Sequence, residues 1–77
     1  MVAYSPYLRI EKKIAKKIKA LRIAHGYTSY ENFALEFDID RKHYWGIENG
    51  KNITIKTLHR ILEIHKITFE DFFKGIR

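Results

Sequence analysis

Residues 33–50, FALEFDIDRKHYWGIENG, leave the backbone few options. Phe33, Ala34 and Phe37 share one face of a short helix, and Tyr44 and Ile47 share one face of another. Only Asp38-Ile39-Asp40 separates the two, so the connection must be a tight turn. Asp38 tolerates the positive φ such a turn requires, and Asp40 is a good N-cap for the helix after it. Ile39, the lone apolar residue of the turn, is expected to plug the core. Ala34 is small enough to let a neighbouring helix approach closely. Asn49-Gly50 supplies the stop.

The flanking sequence extends the same all-α pattern. Ser5 as N-cap and Pro6 at the first helical position open a helix, and Ile10, Ile14, Ile18 and Leu21 recur at spacings of four, four and three. His25-Gly26 ends it, which predicts a first helix over 6–25. Thr28-Ser29-Tyr30-Glu31 has the capping-box pattern, with Thr28 as the cap of a second helix that buries Tyr30, Phe33, Ala34 and Phe37. On the third helix Tyr44 and Ile47 face inward, leaving Arg41, Lys42, Trp45 and Asn49 outside. Thr54 caps a fourth, with Ile55, Leu58, Ile61 and Leu62 as its apolar face and Lys66 at its end. Thr68 caps a short fifth helix whose Glu70 and Asp71 suit the positive end of its dipole. No run reads as a strand. The expected fold is a compact five-helix domain spanning residues 1–77, with 1–5 a flexible arm.

Composition narrows the function classes. Fifteen Lys and Arg against nine Asp and Glu give a net charge of +6, which favours a polyanionic partner. Seven basic residues and one acid fall within 9–22, a distribution that a solvated helix face would also show. With no cysteine there is neither a disulfide framework nor a thiolate metal site. His25, His43, His59 and His65 form no metal-ligand spacing and read as surface or capping residues. No glycine-rich phosphate loop or nucleophile triad is present, so the chain reads as a non-enzyme with no cofactor and no metal. Neither a signal peptide nor a membrane span is visible, which places the expected protein in the cytoplasm.

The ordered set of motifs resembles the phage Cro/CI-type helix-turn-helix family, also called XRE-like or lambda-repressor-like. The resemblance rests on Leu21-Arg22 and Gly26, Ala34, Ile39-Asp40-Arg41, Ile47-Glu48-Asn49-Gly50-Lys51, Leu58, Ile61 and Leu62, and the terminal Ile67-Thr68-Phe69-Glu70-Asp71-Phe72-Phe73. It covers about residues 14 to 73. It implies sequence-specific binding to double-stranded DNA as a transcriptional regulator, commonly a repressor, acting as a homodimer with the third helix in the major groove. By position it makes Arg41 and Lys42 base-contacting residues, both suited to guanine O6 and N7. Trp45, one turn after Arg41, would pack on sugar or a thymine methyl.

Phosphate contacts fall by the same resemblance on Thr28, Ser29, Tyr30, Asn49, Lys51 and Asn52. The family also implies a structural ion pair between Arg22 and Glu48. The chain departs from the family at several places. Gly46 occupies a position where the family often has a long polar, base-contacting side chain, and Asp38 stands in the turn where Gly is common. The segment from Gly26 to Ala34 is one residue longer than usual, and that from Gly50 to Leu58 is one residue shorter.

Phe69, Phe72, Phe73 and Ile76 offer more apolar surface than one short helix buries, and together with the N-terminal Tyr4, Tyr7 and Leu8 form the expected dimer or partner surface. An alternative with the same fold is an antitoxin-type module that binds a toxin protein as well as its own operator. A non-specific nucleic-acid binder would need only the Lys-rich first helix.

Overall fold

The computed structural model describes residues 6–76, with side chains from Ile10 onward. It contains α1 (Pro6–Ala24), α2 (Tyr30–Glu36), α3 (Arg41–Glu48), α4 (Ile55–His65) and α5 (Phe69–Lys74), and no strand among the described residues. Four residues with positive φ separate them: Gly26 (95°), Asp38 (56°), Gly50 (85°) and Lys66 (56°). At each, the next residue turns back to donate its amide to a carbonyl five positions earlier. These bonds are Tyr27 to Arg22 (3.1 Å), Ile39 to Ala34 (2.8 Å), Lys51 to Gly46 (2.9 Å) and Ile67 to Leu62 (3.0 Å). One device thus satisfies the orphan carbonyls of four helices. Tyr27, Ile39 and Ile67 also return apolar side chains to the core, whereas the third turn returns Lys51.

The helix starts are set by side-chain oxygens. Asp40 accepts from the His43 amide at 2.8 Å, Thr54 from Thr57 at 3.1 Å and Thr68 from Asp71 at 3.1 Å. Each occupies an amide that has no partner within its own helix.

Around these joints the helices close on Ile14, Ile18, Phe33, Ala34, Ile39, Tyr44, Ile47, Leu58, Ile61, Leu62 and Phe72. Both α2 and α1 pack against α3, the contact with α2 being the more extensive, and α4 packs against α5. Ala34 is buried at the α2–α3 contact, where its single methyl permits the approach. Tyr44 and Ile47 face inward as their spacing requires, fixing which face α3 presents to solvent.

Several expectations change. Ser29, not Thr28, caps α2: its hydroxyl accepts from the amides of Glu31 (3.1 Å) and Asn32 (3.2 Å). The helix begins one residue later than the box pattern places it, so the hydroxyl that reaches its free amides belongs to the next residue. Ile55 is 71% exposed rather than part of the α4 face, because as the first helical residue it precedes the turn that packs. Ile10 is also exposed, since α1 at about 1.5 Å per residue is far longer than the helices it crosses.

Phe72 is fully buried and belongs to the core, so it cannot contribute to a dimer surface. Phe73, next to it, points outward at 40% exposure, while Phe69 and Ile76 are half-buried. The first helix ends at Ala24 rather than His25. The expectations for Ser5, for Tyr4 and the 1–5 arm, and for the side chains of Tyr7 and Leu8 lie outside the described residues.

Candidate nucleic-acid interface

Because Tyr44 and Ile47 anchor α3, its opposite strip is exposed and carries Arg41, Lys42, Trp45 and Asn49. Trp45 keeps 45% of its surface in solvent, a large exposure for an indole. The Asn49 amide donates to the Trp45 carbonyl at 2.7 Å, closing the end of α3. At the other end, Arg41 Nη1 stands 4.0 Å from Glu31 Oε2 of α2, with both side chains more than half exposed. An exposed pair at that distance holds an arginine weakly and leaves it free to turn to another acceptor.

Beneath the strip, Arg22 and Glu48 meet as the resemblance implies. Arg22 Nε donates to Glu48 Oε2 at 2.8 Å and Nη2 donates to Oε1 at 3.0 Å, while Nη1 donates to the Tyr27 carbonyl at 2.8 Å. The two side chains are only 4% and 6% exposed. The hydrogen bond to Glu48 raises the proton affinity of Arg22 above its ordinary value, against the opposing cost of burial. Neither residue is available to DNA. The pair binds the last turn of α1 to the last residue of α3.

Tyr44 lies beside this pair, and burial chiefly raises its phenol pKa, so the ring stays neutral at every working pH. Its hydroxyl has no hydrogen-bond partner among the described residues.

Periodicity could not reveal two further ties. Arg60 of α4 donates Nη2 to the carbonyls of Phe37 (2.9 Å) and Asp38 (3.0 Å), clasping the turn between α2 and α3. Its position on the solvent side of α4 looks like any exposed cation in the sequence.

The second tie is a histidine pair. His25 and His65, forty residues apart, bring their Nδ1 atoms to 3.3 Å. His65 stacks on Phe33 (centroids 5.3 Å, planes 7° apart) and is half-buried, so the surface reading of this histidine is corrected. No group of three or more His, Asp or Glu able to hold a metal occurs among the described residues.

The expected phosphate-side residues fall in two segments, at the head of α2 and beyond α3. Thr28, Asn49, Lys51 and Asn52 are exposed. Ser29 and Tyr30 are half-buried, and the Ser29 hydroxyl is engaged as a cap. Gly46 is buried because the aliphatic stem of Lys51 crosses it. Well away from α3 in sequence, His59, Phe69 and Phe73 stack in series on α4 and α5, with successive centroids 5.7 and 6.4 Å apart and planes within 6°.

No helix of the described residues is long and apolar enough to cross a membrane. Residues 18–72 match the family model described as helix-turn-helix. The control protein C.MunI of Mycoplasma sp is 37% identical over 68 residues, which span 87% of this chain and 92% of that protein. The wild-type restriction-modification controller protein C.Esp1396I matches with a TM-score of 0.70 at 32% identity, over 92% of this chain and 87% of the other. The structure of the C.Esp1396I tetramer in complex with its natural 35 base-pair operator matches with the same score and identity, over 92% and 90%. The chain therefore belongs to the helix-turn-helix family, with restriction-modification controller proteins among its relatives.

Proposed function

We propose that this protein is a transcriptional regulator of the controller type, which occupies an operator in double-stranded DNA and governs a restriction-modification gene set. The observation that carries this reading is the exposed strip of α3, where two cations and an indole project from a helix pinned on its other side by Tyr44, Ile47 and Glu48. Rigid support behind and exposed, at most weakly paired cations in front are what major-groove reading needs. Arg41 and Lys42 donate to guanine edges and Trp45 packs on sugar or a thymine methyl. Thr28, Ser29, Tyr30, Asn49 and Asn52 hold the flanking backbone, and the net charge of +6 draws the protein to DNA without regard to sequence.

The stacked His59–Phe69–Phe73 face serves a second copy of the chain, giving a homodimer on two half-sites. An antitoxin would use this face for a different protein. The relative that assembles as a tetramer on its operator favours self-association.

Selection from random duplexes, followed by binding of the enriched sequence across salt concentrations, tests the reading. A two-fold-related motif and a steep linear fall of log affinity with log salt are expected. Enrichment of no motif would reduce the protein to a non-specific binder.

A further inference from the structure

The family resemblance places Lys51 among the phosphate contacts, but its surroundings suit a different task. Gly46 follows Lys42 by four residues, so it continues the exposed strip of α3 by one turn. It is nevertheless buried, and what covers it is Lys51. A Cβ placed on Gly46 would stand 3.5 Å from both Cγ and Cδ of Lys51, and 3.7 Å from its Cβ. These are ordinary van der Waals separations. The lysine stem therefore lies where a side chain at position 46 would emerge.

The backbone sets this arrangement. Gly50 takes φ 85°, and the Lys51 amide then donates to the Gly46 carbonyl at 2.9 Å. In this type of helix ending the residue after the left-handed one packs back on the residue whose carbonyl it meets. After α1, α2 and α4 that residue is Tyr27, Ile39 or Ile67, and it packs against the core. Only after α3 is it a lysine, among the described residues. The methylenes cover the glycine while the residue as a whole stays exposed, as a lysine that lays its stem on the protein and keeps its ammonium in solvent does. No carboxylate pairs with that ammonium among the described residues.

We propose that Lys51 is a base-reading residue, which supplies from the loop after α3 the donor that Gly46 lacks and directs it at a guanine edge next to the one Lys42 meets. Gly46 is its counterpart: a Cβ there would just touch the stem, and a side chain extending beyond Cβ would displace it. The assignment rests on the reading of α3 as the groove-facing helix.

Selection from random duplexes with the wild-type protein, Lys51→Ala, Gly46→Gln and Arg41→Ala tests it. Lys51→Ala is expected to erase a guanine preference at one or two positions, and to weaken the best site about tenfold while changing random duplex less than about twofold. Gly46→Gln is expected to alter preference at the same positions. Equal losses for Lys51→Ala on both DNAs, with the motif intact, would return Lys51 to the phosphates and overturn the assignment. If Arg41→Ala flattens the motif while Lys51→Ala leaves it, only the role of Lys51 falls. If the wild-type protein enriches no motif, the groove-facing reading falls with it.

Discussion

Arg22 and Glu48 are joined by two parallel hydrogen bonds in a nearly dry setting, with the third prong of the guanidinium on the Tyr27 carbonyl. The pair couples the stop of α1 to the end of α3, so the orientation of the exposed strip depends on it. Removing one partner leaves the other charge buried without compensation. Glu48→Ala is expected to cost about 3–5 kcal/mol in urea unfolding, a large share of the stability of a domain this size. Arg22→Met combined with Glu48→Leu is expected to recover most of that loss. A Glu48→Ala cost below about 1 kcal/mol would show that the pair is ornamental.

The Tyr44 hydroxyl offers a contrast. It is buried next to the pair without a hydrogen bond of good geometry, and Arg22 and Glu48 remain bonded to each other when it is removed. Tyr44→Phe is expected to change the unfolding free energy by less than about 1 kcal/mol in either direction. A loss of 2 kcal/mol or more, on the scale of about 1–3 kcal/mol for a broken buried bond, would mean that the phenol is held by the ion pair.

Acid should weaken the fold through His65. Its Nε2 is buried without a partner, so its proton is best placed on Nδ1 and donated to His25 Nδ1. Burial first, and then the charge of a protonated His25, lower the proton affinity of His65. Above the ordinary histidine value of about 6.5 neither state carries the proton and the full stability is present. As pH falls below it, the unfolded chain takes up a proton that the folded protein refuses. Stability is lost until the pH passes the lowered folded value. Urea unfolding between pH 7.5 and 5 should therefore show a slope that His65→Gln reduces. An identical slope in the variant would assign the acid sensitivity elsewhere.

Of the two non-glycine residues with positive φ, Asp38 is of a type that tolerates that region and Lys66 is not. Lys66→Gly is expected to raise stability by about 0.5–1 kcal/mol, after allowing for the greater freedom of glycine in the unfolded chain. A loss in thermal unfolding would indicate that the lysine side chain makes up for its backbone strain.

Local rules expressed in neighbouring residues were legible before the fold was known. Asp40, Thr54 and Thr68 cap the helices they precede, and Tyr44, Ile47, Leu58, Ile61 and Leu62 face the core as their spacing requires. Ambiguity entered where two residues could meet one need, as with Thr28 and Ser29 at the head of α2. It also entered where a periodic stripe runs past its partner, as at Ile10 and Ile55. Phe72 and Phe73 adjoin in sequence, and only the packing of α5 decides which turns inward.

Long-range pairs left a trace only when they belonged to a known pattern. Arg22 and Glu48 did. Arg60 on the turn carbonyls, His25 on His65 and Lys51 over Gly46 did not, because each joins residues whose types alone do not mark them as partners.

The role of α3 is tested most directly by the binding of Arg41→Ala to the selected operator and to random duplex at equal salt. Arg41 is exposed and held only by a distant carboxylate, so the substitution leaves the fold intact. A loss of about 1–3 kcal/mol on the operator, with relaxed preference at one or two base positions and little change on random DNA, is the expected result. Equal losses on both DNAs would contradict base reading by the exposed strip of α3.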